Sequence, residues 1–261
     1  NFLPAICPIQ AVGVEQLHTS AVTLQGELLS LTIRKIASTV LAAAQAAACA
    51  RAGRPDDAVT LMGVTKTVDN ARIQAALDAG VRHMGENRVQ EYLGKKDGLN
   101  LAGVTTHLIG HLQTNKVSRI VGEVDMIQSV DSLRLAQAIE KASAARECVT
   151  DVLVEVNIGR EEAKSGVLPE ELEELLEKIS VFGHLKIQGL MTVPPHFETE
   201  SDKRKVFMNM HKLFIDMKGK KIDNINMHIL SMGMSGDYRE AILEGSTMVR
   251  IGSALFGERI Y

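Results

Sequence analysis

The spacing of hydrophobic positions along this chain changes at about residue 57. Over residues 31–52 the apolar positions recur with helical spacing, which predicts an N-terminal helix. Gly53 and Pro55 should end that helix, because glycine takes the left-handed cap conformation and proline cannot continue a helix. Beyond residue 57, short β-rich runs alternate with amphipathic segments as far as the end of the chain.

Eight of the β-rich runs are long enough to be strands. The predicted strands are 61–65, 81–85, 106–110, 125–129, 151–158, 186–191, 226–231 and 248–251. The helices between them are predicted at 69–79, 87–96, 114–121, 132–144, 169–179 and 200–217, with a short segment at 238–243. Within 169–179, Pro169 suits a first turn, and Leu172, Leu175, Leu176 and Ile179 recur on one helical face.

Eight β units joined by right-handed helical crossovers close most simply into a (β/α)8 TIM barrel, an α/β fold without sheet edges. A doubly wound open sheet is the alternative. The chain has 261 residues and no composition shift or long polar linker after residue 57, which favours one barrel domain, 31–261, with an additional N-terminal helix. Residues 1–30 are interpreted as an N-terminal extension that need not be ordered.

Composition excludes several classes of protein. Hydrophobic residues make up 45% and charged residues 23%, with a net charge of −3, so a basic nucleic-acid binder is not indicated. Tryptophan is absent and aromatic residues make up 3%, so neither a base-stacking platform nor a membrane belt is available. The three cysteines form no CxxC pair, and residues 1–20 lack signal-peptide features; a cytoplasmic location is therefore expected.

Lys66 occupies a position that suits covalent chemistry. It follows the apolar run 61–64 and lies between Thr65 and Thr67, at the predicted mouth of a buried strand. A lysine that is desolvated there is partly neutral near pH 7, and its amine is then nucleophilic. The alternative at this position is an ordinary surface lysine.

Other polar residues also follow predicted strand ends, and in a barrel these ends share one rim. Asn87 follows the second strand, although an asparagine there can simply cap the next helix. Residues at or beyond the later strand ends are His107, His111, Asn157, Met191, Ser231, Arg250, Gly252 and Ser253. The collection predicts a site at this rim.

Two of these segments suit an anion. Residues 231–237 combine hydroxyl groups with two glycines before a predicted helix, and 250–253 repeat the arrangement after the last strand. Barrels often bind phosphate around strands seven and eight. Opposite a strand-end lysine, the two segments indicate a phosphate ligand that carries an aldehyde.

No metal site is predicted. His107 and His111 are four residues apart across a strand end, and no third ligand lies at metal spacing. GxSxG, Walker and GxGxxG motifs are also absent from the sequence, which disfavours serine hydrolases and nucleotide-binding proteins.

The motifs taken together resemble those of the pyridoxal phosphate homeostasis proteins, and the likeness runs from about residue 31 to 261. The motifs that carry it are VTKT (64–67), GENRVQE (85–91), HLIGHLQTNK (107–116), KSG (164–166), GLM (189–191), SMGMS (231–235) and GSTMVRIGS (245–253). There are departures: threonine replaces a usual serine at position 65, and Val68 and Asp69 replace a common Lys-Pro. None of these departures removes a proposed ligand.

The resemblance implies a barrel like the N-terminal domain of alanine racemases, with pyridoxal 5′-phosphate held as an internal aldimine on Lys66. It places Asn87 beside the cofactor and Arg250 beside the pyridine ring or the phosphate. An arginine at the ring nitrogen cannot favour its protonation, so the cofactor would be a weaker electron sink. The residues of the family's phosphate cradle are matched here by Ser231, Ser235, Gly252 and Ser253. Met191 and Gly233 complete the expected cofactor-binding set.

The function expected from the resemblance is a carrier or buffer of pyridoxal phosphate in vitamin B6 and amino-acid homeostasis, with no catalytic residue. Racemases use a second domain that supplies a catalytic tyrosine, whereas this sequence stops at Tyr261 and shows no second acid–base partner. Two enzymes stay as alternatives: a minimal amino-acid racemase with weak activity, and a Schiff-base aldolase. Expected partners are apoenzymes that receive the cofactor transiently, with the chain itself a monomer or weak dimer.

Overall fold

Eight parallel strands form a closed barrel in the computed structural model, which describes residues 28, 31–36, 42–55, 57–195, 199–220 and 222–257. The strands are β1 (Thr60–Val64), β2 (His83–Glu86), β3 (Thr105–Leu108), β4 (Met126–Val130), β5 (Thr150–Glu155), β6 (Leu185–Met191), β7 (Ile225–Met234) and β8 (Met248–Ile251). Each strand pairs with the next along the chain, and β8 pairs with β1. The barrel prediction is therefore confirmed, and the open-sheet alternative is wrong.

Helices connect the strands around the outside of the barrel. Those described are Ala42–Arg51, Asn70–Asp78, Val89–Lys95, Val117–Ile120, Leu133–Ala145, Leu172–Ser180, Glu200–Gly219, Tyr238–Leu243 and Ser253–Phe256. Short 3-10 turns, Thr114–Lys116 and Pro169–Glu171, lead into two of them. Residues 31–36 are helical as well, whereas 37–41 and almost all of the predicted extension 1–30 lie outside the described residues.

Local sequence explains where these helices begin and end. Asp69 accepts a hydrogen bond from the backbone N–H of Arg72 at 3.0 Å, and Ser132 caps the helix Leu133–Ala145 in the same way. Gly53 closes the first helix with φ +65°, in the left-handed conformation that the sequence predicts. Proline and acidic residues open the segment 169–180, whose four periodic apolar side chains are all buried.

The hydrophobic core has two layers. The larger layer lies between the strands and the surrounding helices, and the smaller fills part of the barrel interior with Met126, Leu153, Met191 and Ile229. Alternate residues of each parallel strand point inwards, so a residue two positions further along the same strand also faces the interior. This alternation also sends several polar side chains into the barrel, where they are buried. None of the described helices is long and apolar enough to span a bilayer.

The β1–β8 pairing joins strands from distant parts of the sequence. Met62 pairs with Arg250, and Thr60 pairs with Met248. Lys66 follows β1 at the carboxyl end, on the same rim as the last residues of β8. The two segments that the sequence analysis singled out for a carbonyl and a phosphate are therefore neighbours in space.

Candidate functional site

Lys66 lies in a tight turn immediately beyond β1, and its side chain is half-buried. The turn is held to the sheet on one side because the N–H of Thr65 donates to the carbonyl of Gly85 at 3.0 Å. It closes on itself through a hydrogen bond of 3.0 Å from the N–H of Val68 to the carbonyl of Thr65. Thr67, within the turn, has φ +61°. Lys66 is thus presented from a short backbone loop at the rim of the barrel.

Arg250 is the cationic group on the neighbouring strand, and it is 3% exposed. One terminal nitrogen donates to Ser231 Oγ at 2.8 Å, and the other donates to the carbonyl of Thr192 at 2.7 Å. Burial lowers the pKa of Arg250 to about 10, although the nearby Glu155 and Asp237 carboxylates act in the opposite direction. Arg250 therefore remains protonated at neutral pH, fixed by two partners.

A chain of hydrogen bonds continues from Arg250 across the barrel interior. Ser231 Oγ donates to Gln128 Oε1 at 2.8 Å, and Gln128 Nε2 lies 3.1 Å from His107 Nδ1. His107 Nε2 lies in turn 3.1 Å from Nδ1 of His83. We call Arg250, Ser231, Gln128, His107 and His83 the interior chain. Its members come from β2, β3, β4, β7 and β8, so it ties five strands together.

The hydrogen bonds of the interior chain all run from donor to acceptor in the same direction. Since Gln128 Nε2 is a donor, Nδ1 of His107 must accept, and His107 then carries its proton on Nε2 and donates to His83. Burial, with the second histidine beside it, lowers the pKa of His107 to about 3, so this ring is neutral at physiological pH. Each hydrogen bond in the chain therefore points away from Arg250, and the guanidinium supplies the only formal charge within it.

An anion cradle lies where β7 and β8 give way to helices. Ser235 Oγ accepts hydrogen bonds from the backbone N–H groups of Gly252 at 3.1 Å and Ala254 at 3.2 Å. Two backbone N–H groups that converge on one oxygen atom provide the arrangement that a phosphate oxygen requires. A cleft of about 420 Å³ adjoins it and is lined in part by Ser235, Gly236 and Ala254. The donors present in this part of the rim therefore fit a phosphate group.

Gly233 shapes the approach to this cradle. Its φ is +93°, and a Cβ at this position would lie 2.5 Å from Cβ of Ala241. Only glycine combines this backbone conformation with that close packing. The predicted residue Ser253 is exposed and begins the short helix Ser253–Phe256, directly after Gly252.

Ser231 and Met191 lie deeper than the other predicted cofactor residues. The Ser231 hydroxyl is fully buried between Gln128 and Arg250, whereas Ser235 contacts the backbone of 252–254. Met191 belongs to the apolar layer inside the barrel. The structure thus brings Ser235 and Gly252 together at the rim, and it places Ser231 on the side chain of Arg250.

Asn87 lies at the end of β2 and is half-buried. The N-terminal cap of the following helix is Arg88, so the alternative interpretation of Asn87 as that cap is wrong. Its backbone is closely approached by Gly110, where a Cβ would lie 2.3 Å from the Asn87 carbonyl oxygen. Asn87 is therefore held at the rim by backbone packing between β2 and the loop after β3.

Three polar residues around Arg250 and Ser231 were missed by the sequence analysis: Gln128, Thr192 and Glu155. Each lies at a strand end or inside the barrel, and each contacts or electrostatically influences Arg250 or its partner Ser231. A signal was present for Glu155, because strand alternation from Leu153 places position 155 inside the barrel. A polar residue at an inward position is worth noting for that reason.

Glu155 is a buried carboxyl near the charged end of the interior chain, with 6% of its surface exposed. Burial raises the pKa of Glu155 to about 7; Asp131 raises it further, and Arg250 acts in the opposite direction. At neutral pH the Glu155 carboxyl is therefore divided between its protonated and ionised forms. Burial also raises the pKa of Asp237, which lies just beyond the end of β7.

This raised pKa predicts a pH dependence of stability. The native state binds the Glu155 proton more tightly than the unfolded chain, so unfolding free energy should fall as pH rises from about 4.5 to about 7. Glu155→Gln removes the titration, and the variant should be more stable than wild type at pH 8 by up to about 3 kcal/mol, but not at pH 4.5. Urea unfolding across this range measures the difference; equal slopes in both proteins would contradict the assignment.

In the described ranges, no group of three or more His, Cys, Asp or Glu side chains is arranged so that it could hold a metal ion. His111 instead lies 3.3 Å from Asp131 and 3.1 Å from the Ser165 hydroxyl.

Comparison with known proteins gives a consistent result. Residues 32–260 match the family of the alanine racemase N-terminal domain. The pyridoxal phosphate homeostasis protein of Aquifex aeolicus is 44% identical over 82% of this chain and 93% of its own length. That of Escherichia coli K12 is 39% identical over 82% of this chain and 92% of its own length.

Solved structures give the same fold. PipY of Synechococcus elongatus, solved with pyridoxal phosphate bound, is 33% identical with a TM-score of 0.72, and the match covers 82% of this chain and 99% of PipY. An alanine racemase from Streptomyces lavendulae is 15% identical with a TM-score of 0.68, over 88% of this chain and 58% of the racemase, and so shares the barrel fold. From this agreement in sequence and fold, the chain belongs to the family of pyridoxal phosphate homeostasis proteins.

Proposed function

We propose that this chain binds pyridoxal 5′-phosphate through the Nζ atom of Lys66 and serves vitamin B6 homeostasis as a carrier, without catalysing a reaction. The observation that carries the proposal is the placement of Lys66 after β1 next to the Arg250 strand, on the rim that also holds the Ser235 cradle. Family membership supports the choice of cofactor, since related proteins carry this name and PipY was solved with the cofactor bound.

Each part of the cofactor has a matching group at this rim. Lys66 would hold the aldehyde carbon, the backbone N–H groups of Gly252 and Ala254 with Ser235 would hold the phosphate, and Arg250 would face the ring. When bound, pyridoxal phosphate supplies an aldehyde that reacts with amines and a ring that withdraws electrons. The chain contributes binding and orientation, and hydrogen bonds to Ser231 and Thr192 fix the position of the Arg250 guanidinium.

The charge of Arg250 favours storage over catalysis. A guanidinium whose pKa is about 10 stays protonated at neutral pH, and beside the ring nitrogen it would disfavour protonation of that nitrogen. The ring would then be a weaker electron sink for reactions at the α-carbon of an amino acid. Cytoplasmic location, transient delivery to apoenzymes, and a monomer or weak dimer are part of the same proposal.

A weak racemase is the second candidate, and Glu155 is the observation that favours it. A carboxyl with a pKa near 7 at the rim has the protonation behaviour of a general acid or base. Incubating the loaded protein with amino acids in deuterated water separates the two functions. Exchange of the α-hydrogen at an enzyme-like rate, with inversion at the α-carbon and loss of both in Glu155→Gln, would establish the racemase and defeat the carrier proposal.

Mass spectrometry tests the proposed attachment directly. Borohydride reduction of the loaded protein should leave one cofactor-derived adduct, on the peptide that contains Lys66. An adduct on a different lysine, or none, would contradict the proposal. Protein that forms a stable adduct with a phosphorylated sugar, and none with pyridoxal phosphate, would point to an aldolase.

A further inference from the structure

Three charged residues form a compact cluster beneath the turn that carries Lys66. The ammonium of Lys95 donates to Glu86 Oε1 at 2.8 Å and to Glu91 Oε1 at 2.7 Å. Its third hydrogen bond, of 2.7 Å, goes to the carbonyl of Thr65. A lysine ammonium has three N–H donors, so all of those in Lys95 are used. We call Glu86, Glu91 and Lys95 the Lys95 cluster.

The Lys95 cluster forms hydrogen bonds with the residues on both sides of Lys66. On the preceding side, Lys95 holds the Thr65 carbonyl, and the Thr65 hydroxyl donates to Glu86 Oε1 at 2.7 Å. On the following side, the backbone N–H of Thr67 donates to Glu91 Oε1 at 2.5 Å. The residues before and after Lys66 are therefore bound to one set of charges, and Lys66 projects from between them.

Thr67 shows that the turn needs this support. Its φ of +61° lies in the left-handed region, which a β-branched residue rarely adopts. Such a conformation persists only where surrounding contacts impose it. The hydrogen bond from Thr67 N–H to Glu91 is one of those contacts, and it would be lost without an acceptor at position 91.

The charged side chains of Glu86 and Lys95 are largely shielded from solvent. The Glu86 side chain has no exposed surface, and 14% of the Lys95 side chain is exposed. Burial raises the pKa of Glu86, against the hydrogen bonds from Lys95 and Thr65. Burial acts in the same direction on Glu91, but the hydrogen bonds from Lys95 and Thr67 outweigh it and hold the pKa of Glu91 below its usual range. Glu91 is therefore ionised at neutral pH and accepts both hydrogen bonds strongly.

We propose that the Lys95 cluster positions the amine of Lys66 for reaction with the carbonyl group of its ligand, so that Glu91 and Lys95 are positioning residues. The inference rests on the proposed function, because it assigns the cluster a part in loading the cofactor onto Lys66. The rate of a bond-forming step depends steeply on the geometry of the reacting atoms. Without the hydrogen bonds from the Lys95 cluster, the turn would present the amine of Lys66 in many orientations.

Two substitutions at position 91 separate positioning from charge. Glu91→Gln keeps an oxygen that accepts from Thr67 N–H and from Lys95, whereas Glu91→Leu removes the acceptor and keeps a helix-forming residue of similar size. Glu174→Leu is the matched control, because Glu174 and Lys178 form the same i,i+4 ion pair on an exposed helix surface. Lys95→Met provides a second disruption of the cluster from the other partner.

The first measurement is the rate at which pyridoxal phosphate forms its visible absorbance band with the cofactor-free protein. Glu91→Leu and Lys95→Met should load about tenfold more slowly or worse, while Glu91→Gln and Glu174→Leu should stay within about twofold of wild type. The second measurement is competitive acylation of Lys66 in the absence of cofactor, read by mass spectrometry against pH. The same two variants should change the reactivity of Lys66 relative to exposed lysines.

The possible results of these two measurements lead to different conclusions. Wild-type loading rates in a folded Glu91→Leu variant, with unchanged Lys66 acylation, would overturn the positioning role. A lower melting temperature with both rates unchanged would show that the cluster serves stability alone, which also overturns it. If wild-type protein gives no adduct on Lys66, the proposed function fails instead, and acylation of Lys66 in the cofactor-free variants still reports on the cluster.

Discussion

Lys66→Ala is expected to abolish covalent retention of pyridoxal phosphate. The side chain is the one proposed bond-forming group, and without it the cofactor keeps only the contacts of its phosphate and ring. Loss of a reversible covalent bond should weaken apparent affinity by at least about 100-fold, or ~3 kcal/mol. Absorbance titration measures the affinity, and the visible band of the loaded protein should be missing from the variant.

A matched surface variant makes this result specific. Lys141 is exposed on the helix Leu133–Ala145, and Lys141→Ala should load like wild type. After borohydride reduction, mass spectrometry should find the adduct in Lys141→Ala and none in Lys66→Ala. An adduct of equal yield in both variants would show that another lysine holds the cofactor.

Arg250→Met is expected to cause the largest loss of stability. Methionine fills much of the volume of the arginine, but it leaves the Thr192 carbonyl and the Ser231 oxygen without their donor. It also leaves the Glu155 and Asp237 carboxyls without the neighbouring cation. Breaking a buried charge arrangement from one side costs about 3–5 kcal/mol, which urea unfolding at pH 7.5 can resolve.

Two controls show whether the lost cation is the cause. Arg134 is exposed on a helix, so Arg134→Met should change the unfolding free energy by less than about 0.5 kcal/mol. Adding Glu155→Gln to Arg250→Met should recover part of the loss, because the second substitution removes one of the stranded carboxyl groups. Strictly additive effects of the two substitutions would mean that Glu155 and Arg250 do not interact.

The barrel was predictable from sequence because each strand carries its own signal. All eight predicted strands overlap observed ones, since a buried parallel strand is a short apolar run that needs no knowledge of its partners. The largest differences, three residues at the carboxyl end, are in β5, which ends at Glu155 although the prediction runs to residue 158, and in β7, which extends to Met234 although the prediction ends at residue 231. Gly233 was interpreted there as part of a turn, whereas it forms an irregularity within the strand, where the pairing with β8 shifts register.

The site was only partly predictable. Lys66, Ser235 and Gly252 were predicted because strand ends and glycine-rich turns are local patterns. Gln128 and Thr192 were not predicted, since Gln128 meets Ser231 across a sequence separation of 103 residues, and the contact of Arg250 with Thr192 uses a backbone carbonyl. Which inward-facing side chains touch depends on barrel geometry, and the chemistry of one residue does not specify its neighbour on a distant strand.

The pairing of β1 with β8 also has a consequence for the growing polypeptide. Because Lys66 and Arg250 lie on strands that meet only at closure, a nascent chain that has not yet released β8 from the ribosome has the lysine but lacks the cradle around Ser235 and Gly252. Binding that needs both groups would therefore have to wait until β8 has left the ribosome. A ligand that contacts both β1 and β8 should stabilise the pairing of these strands, which closes the barrel. The barrel should therefore open more slowly at this pair of strands when the ligand is bound.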